Sequence, residues 1–168
     1  QRLNGGNGFF DTCSAEEMGR SETLELVRSE ARRTAKNLYD SGINVNFAPV
    51  VDLNVNSSNP IIGGVKRSFS SDPDQVFRCA EAWISCHRQY NILSCPKHFP
   101  GHGSSTADSH LGFVDISSSW HEDELLPYRQ LISRKMADMI MVGHLYNHNL
   151  DPVFPATLSY LTVSGILR

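Results

Sequence analysis

With 168 residues, 40% of them hydrophobic, the chain is long enough for one domain with its own core. A net charge of −3 with scattered basic residues leaves no electrostatic footprint for nucleic acid. No apolar run approaches the roughly 18 residues that a membrane span needs, so a soluble protein with a neutral partner is expected.

Gln1 opens the chain, and Gly165-Ile166-Leu167-Arg168 closes it in what reads as the middle of a helix, so both ends are expected to be cuts in a longer chain. Ser14 with Glu17 three residues on is a capping-box signal, and Leu24, Val27, Ala31 and Leu38 then recur at helical spacing up to Gly42. One amphipathic helix is predicted there. Ile43, Val45 and Phe47 alternate with Asn44 and Asn46 and run into Ala48 to Val51, which predicts a strand near 43–51. Asp72-Pro73 opens a second helix with Phe77, Ala80, Trp83 and Ile84 on one face, followed by a short apolar strand near 92–96. Ser119 is expected to cap an acidic first turn before the apolar face of Leu125, Leu126, Tyr128, Leu131 and Ile132, with a third strand near 138–143. A fourth helix is expected from Ser159.

Strands reached only after full helices predict an α/β fold with a parallel sheet and right-handed crossovers. A closed (β/α)8 barrel takes about 250 residues, so three such units supply part of one, a partial TIM barrel. Removing neighbouring strands leaves open edges, and the piece is expected to keep partners from its own chain or to self-associate. Cys13, Cys79, Cys86 and Cys95 form no CxxC pair and read as mostly buried thiols, which favours a reducing, cytoplasmic compartment.

The densest polar cluster is Lys97-His98-Phe99-Pro100-Gly101-His102-Gly103, followed by Asp108-Ser109-His110, and it begins where the second strand is expected to end. That end of a parallel strand carries the site in such sheets. In an extended segment Asp108 and His110 project to one side, so the carboxylate can hold one imidazole nitrogen and leave the other facing a reacting atom. His98, His102, Asp108 and His110 could also be read as zinc ligands by residue type. Packing or solvent contact is the reading for His87, His121 and His148. Asp52 and His144 lie just past the other two strands and are weaker site candidates, Asp52 being as well suited to turning its loop. Arg67 could pair with Asp72 or Asp74 instead of a ligand.

KHFPGHG followed by DSH, with GINVNFAPVVDLN upstream and DPVFPATLS downstream, resembles family 3 glycoside hydrolases of the β-N-acetylglucosaminidase branch. The likeness runs from QRL to GILR, and implies that residues 1–168 are a single internal fragment of that family's N-terminal (β/α)8 barrel domain. It implies a retaining hydrolase that removes terminal β-linked N-acetylglucosamine from peptidoglycan-derived or chitin-like oligosaccharides, with no metal or organic cofactor. On the matching positions His110 would be the acid/base and Asp108 its orienting partner. Lys97, His98, Arg67 and Arg2 would bind the sugar. The family's aspartate nucleophile falls on no matched position here, so the piece alone is expected to be inactive. Cys95-Pro96 before Lys97 departs from the glycine often found there. Phosphorolysis by the same dyad and a non-catalytic sugar-binding role are the alternatives; a histidine donor, unlike a second carboxylate, would not repel an incoming phosphate.

Overall fold

The computed structural model describes residues 4–168. Ser14 does cap a helix. Its hydroxyl accepts from Glu17 N–H at 3.2 Å while Glu17 Oε2 accepts from Ser14 N–H at 2.8 Å, and helix α1 (Ala15–Arg20) follows. The single helix expected from here to Gly42 is instead two, because the chain breaks after Arg20 and restarts as α2 (Glu25–Asp40). Close approach from a distant segment accompanies the break: a Cβ on Gly19 would stand 1.7 Å from the carbonyl oxygen of Phe69, so α1 lies directly on that backbone.

α2 buries Val27, Ala31, Ala35 and Leu38 along one stripe, the spacing that its sequence announces. α3 (Pro73–Arg88) starts at Asp72, whose carboxylate accepts from Asp74 N–H at 3.1 Å, with Pro73 in the first turn. Val76, Phe77, Ala80, Trp83 and Ile84 are its buried face, and burying a side chain the size of Phe77 contributes roughly 2–3 kcal/mol. α2 and α3 pack on each other, and α3 packs in turn on α4 (Leu126–Ser133). Ser119 caps nothing here: a 3-10 turn over Glu122–Leu125 leads into α4 after His121, with Leu125, Tyr128 and Leu131 buried and Ile132 exposed. A run of π-helical turns, Leu161–Leu167, follows Ser159, whose hydroxyl accepts from Thr162 N–H at 2.9 Å.

The strands are parallel and short. β1 (Val45–Asn46) pairs with β2 (Leu93–Ser94), β3 (Lys97–Phe99) pairs with β4 (Met141–Val142), and a bridge from Val50 to Lys97 joins the two ladders. Segments 45–50, 93–99 and 141–142 therefore lie side by side in chain order, as expected of βα units. Proline divides the ladder at Pro49 and Pro96, since neither residue has an N–H to donate. The middle strand runs on past the expected end at residue 96 to Phe99, so Lys97 and His98 belong to the strand and not to the loop. Phe99 from β3, Val51 and Leu53 from the segment after the first strand, Phe77 and Trp83 from α3, and Tyr128 and Leu131 from α4 form one core. Cys79, Cys86 and Cys95 are buried free thiols and Cys13 is a partly buried one.

Candidate active site

Asp52, directly after the first strand, is the hub of the region. Its side chain is fully buried and takes three hydrogen bonds: Oδ1 accepts from His98 N–H at 3.0 Å and from His102 N–H at 2.9 Å, and Oδ2 accepts from His98 Nδ1 at 2.7 Å. Burial pushes this carboxyl up, but the imidazole of His98 and the three donors outweigh burial and hold it below the usual aspartate value. Asp52 thus braces the distant KHFPGHG segment through His98 and His102, a role different from turning the loop after its own strand. That carboxylate also fixes the ring of His98, whose side chain is 12% exposed, through one nitrogen.

Beyond Phe99 the chain reverses tightly. Gly101 has φ +123°, a conformation that disfavours side chains, and it lies against Glu124, while a Cβ on Gly103 would fall 1.7 Å from the carbonyl of Leu53. Glu124 Oε2 accepts from Gly103 N–H at 3.0 Å, and Trp120 Nε1 donates to the carbonyl of Pro100 at 3.0 Å. Burial drives the Glu124 carboxyl up to about 7, the neighbouring Asp52 charge adding to the effect. Its other oxygen, Oε1, and the hydroxyls of Ser104 and Tyr128 are buried without hydrogen-bond partners. Glu124 escaped sequence reasoning because its only mark was membership of an acidic helix start.

Asp108 and His110 are brought together as expected, by a different route. Residues 108–111 form a turn, not an extended run: Asp108 Oδ1 accepts from both His110 N–H and His110 Nδ1 at 2.8 Å, and the carbonyl of Asp108 accepts from Leu111 N–H. An aspartate readily bends its own backbone two residues on, which alternation along a strand does not anticipate. The bonds from His110 hold the Asp108 carboxyl below its usual range, the backbone N–H first and the ring second. With Nδ1 engaged, Nε2 is the ring nitrogen available for proton transfer; the His110 side chain is 81% exposed.

Lys97 is largely covered, and burial, then the positive charge of Arg67, lowers its ammonium pKa. Arg67 Nη1 donates to the carbonyl of Ile61 at 2.8 Å and pairs with neither Asp72 nor Asp74. Both cations line a cleft of about 660 Å³ along the outer edge of β1, together with Asn46, Pro49, Thr34 and Trp83. Arg2 lies outside the described residues. His144 is exposed, its Nδ1 2.6 Å from the hydroxyl of Thr157. His87 is a packing histidine: it stacks on Trp83 with ring centroids 5.1 Å apart, and burial lowers its pKa to about 4.

The four groups that suggested zinc are each turned to other partners. His98 faces Asp52, His110 faces Asp108, and both nitrogens of His102 meet serines, Nδ1 at Ser105 Oγ (2.7 Å) and Nε2 at Ser109 Oγ (3.1 Å). Among the described residues no group of three or more His, Cys, Asp or Glu stands together as a metal would require, and no helix is long and apolar enough to cross a membrane.

Comparison with known proteins places the chain in a family. The sequence pattern of the glycosyl hydrolase family 3 N terminal domain matches residues 1–168. A beta-hexosaminidase of Tolumonas auensis is 37% identical over 171 aligned positions, covering 100% of this chain and 50% of that protein. Beta-hexosaminidase LpqI of Mycobacterium tuberculosis is 38% identical over 164, covering 96% of this chain and 40% of the relative. A family 3 β-N-acetylglucosaminidase from a Paenibacillus species superposes with a TM-score of 0.90 at 32% identity, over 100% of this chain and 32% of that one. NagZ of Neisseria gonorrhoeae, solved in complex with N-trifluoroacetyl-D-glucosamine, gives 0.85 at 30% identity, over 96% and 49%. The chain thus spans between a quarter and a half of the length of the curated relatives it matches. Its parallel strands and packed helices are part of a TIM barrel, and the chain belongs to glycosyl hydrolase family 3, within the N-terminal domain.

Proposed function

We propose that the chain supplies the acid/base half of a retaining β-N-acetylglucosaminidase. The Asp108–His110 pair carries this reading: a carboxylate at 2.8 Å fixes one nitrogen of an exposed imidazole and leaves the other free. In the first step His110 Nε2 would protonate the glycosidic oxygen as the bond to the anomeric carbon breaks. A carboxylate from outside residues 1–168 would attack that carbon from the opposite face, giving a glycosyl-enzyme. Water, losing its proton to His110, would then release the sugar. Lys97, His98 and Arg67 would hold sugar hydroxyls and the acetamide, Arg2 joining them from the chain start; all are hydrogen-bond donors. The substrate is an oligosaccharide ending in N-acetylglucosamine, the class that the relatives' names point to.

Product analysis tests it. The full-length protein is expected to release β-N-acetylglucosamine first from an aryl β-N-acetylglucosaminide, at a rate independent of phosphate. A sugar phosphate product would replace hydrolysis with phosphorolysis; an α-configured first product would rule out the retaining route.

We also infer that another strand of the complete protein pairs with the free edge of β1 beside the cleft. The buried Trp83 Nε1 and Thr34 Oγ1, both unpartnered, line it, and β1 is paired on one side only. Without that strand the isolated chain is expected to self-associate through the open edge, which sedimentation over a dilution series would register.

A further inference from the structure

We propose that His102 is a positioning residue that latches the proton-donor turn to the barrel through the hydroxyl of Ser109. The inference rests on the reading of His110 as acid/base and adds a residue to it. Residues 106 and 107 and 110–113 are exposed, and the turn's internal bonds, from Asp108 to His110 and Leu111, tie it only to itself. His102, by contrast, is 1% exposed and anchored at both ends of its own residue. Its N–H is held by Asp52 at 2.9 Å, and its carbonyl accepts from Asn59 Nδ2 at 2.7 Å. The ring then reaches across to the turn, where Nε2 lies 3.1 Å from Ser109 Oγ, between the two dyad residues in sequence.

Both serine contacts suit a neutral ring. Ser105 Oγ also lies 3.1 Å from the carbonyl of Ala107 and receives a hydrogen bond from Asn59 Nδ2 at 3.2 Å. A neutral imidazole has one nitrogen that donates and one that accepts, and a serine hydroxyl can do either. His102 Nδ1 at 2.7 Å from Ser105 Oγ and Nε2 at 3.1 Å from Ser109 Oγ are therefore both satisfied by a neutral ring. Burial lowers the proton affinity of His102, which keeps the ring neutral and this pattern intact at pH 7. One neutral imidazole thus fastens the turn twice, through Ser105 to Ala107 and directly to Ser109. The edge-on contact of its ring with that of His98, centroids 5.9 Å apart, places the latch beside a sugar-binding candidate.

A latch that aims a proton donor has a kinetic signature that general loosening lacks. Protonation matters when the leaving group is a poor one and little when it departs unaided. In the full-length enzyme, Ser109→Ala is expected to lower kcat about tenfold or more on an alkyl or disaccharide glycoside. On a dinitrophenyl glycoside the first step should stay within about twofold of the parent, measured as the pre-steady-state burst, with KM little changed. Ser109→Thr, which keeps the hydroxyl, should restore the rate; His102→Gln should repeat the leaving-group pattern. Equal losses on both substrates, or none, from a folded Ser109→Ala enzyme would overturn the latch. His110→Ala in the same assays keeps the two ideas apart: if it shows no leaving-group dependence the acid/base reading itself fails, whereas if it does and Ser109→Ala does not, only the latch fails.

Discussion

Asp108 Oδ1 binds His110 twice, at the backbone N–H and at Nδ1, both at 2.8 Å. One oxygen thus shapes the turn and orients the ring. Asp108→Asn keeps an oxygen for the turn but removes the charge that would steady an imidazolium. Its kcat on a poor leaving group is expected to fall by roughly a hundredfold with an unchanged melting temperature. Unchanged kcat would leave Asp108 with a turn-forming role alone.

Asp52 makes the same carboxylate-to-Nδ1 contact with His98, in the interior. Asp52→Ala would strand three donors, one buried and two part-buried, and a loss of about 3 kcal/mol is expected from chemical denaturation. Because its folded pKa lies below the unfolded value of 3.8, the contribution is full above that value and fades as pH falls through the folded one. The variant should accordingly lose part of the parent's acid-unfolding transition.

Glu124 behaves oppositely. Its carboxyl is raised from 4.5 to about 7, so the folded state holds a proton that the unfolded state has released, and stability falls as pH rises across that window. The fall attributable to this one group is on the order of 3 kcal/mol. Glu124→Gln keeps the shape without the charge and is expected to flatten the decline, so that variant and parent differ more at pH 8 than at pH 5 in denaturant titrations. Parallel curves would show that the carboxyl finds compensation when it ionises.

Gly103 cannot carry a side chain where it stands, 1.7 Å from the Leu53 carbonyl by its would-be Cβ. Gly103→Ala must move either the first strand's end or the loop. A destabilisation of roughly 3 kcal/mol or more is expected, together with weakened sugar binding, since Lys97 and His98 lie on the strand that the loop leaves. A stable variant with parent KM would contradict this placement.

How much of this was legible follows from the range of each signal. Caps at Ser14 and Asp72 and the buried stripes of α2 and α3 are local, and each was readable from residues within a turn or two. So were the glycine-rich turn and the Asp108–His110 pair. What stayed hidden depends on distant partners: Asp52 meets His98 across 46 residues, Glu124 meets Gly103 across 21, and the break after Arg20 coincides with Phe69 lying against Gly19. Ser109 has no local signal of a role either, since its contact is with the ring of His102 seven residues earlier.

The most direct measurement is hydrolysis of an aryl β-N-acetylglucosaminide with a poor leaving group. It would be run on residues 1–168 alone, on the chain extended by the flanking barrel strands, and on the extended form with His110→Ala. The expected result is no turnover by 1–168, turnover by the extended form, and a loss of about a hundredfold or more on removing the imidazole. Turnover by 1–168 alone, or an extended form indifferent to His110, would contradict the assignment of His110 as proton donor to a nucleophile carried elsewhere.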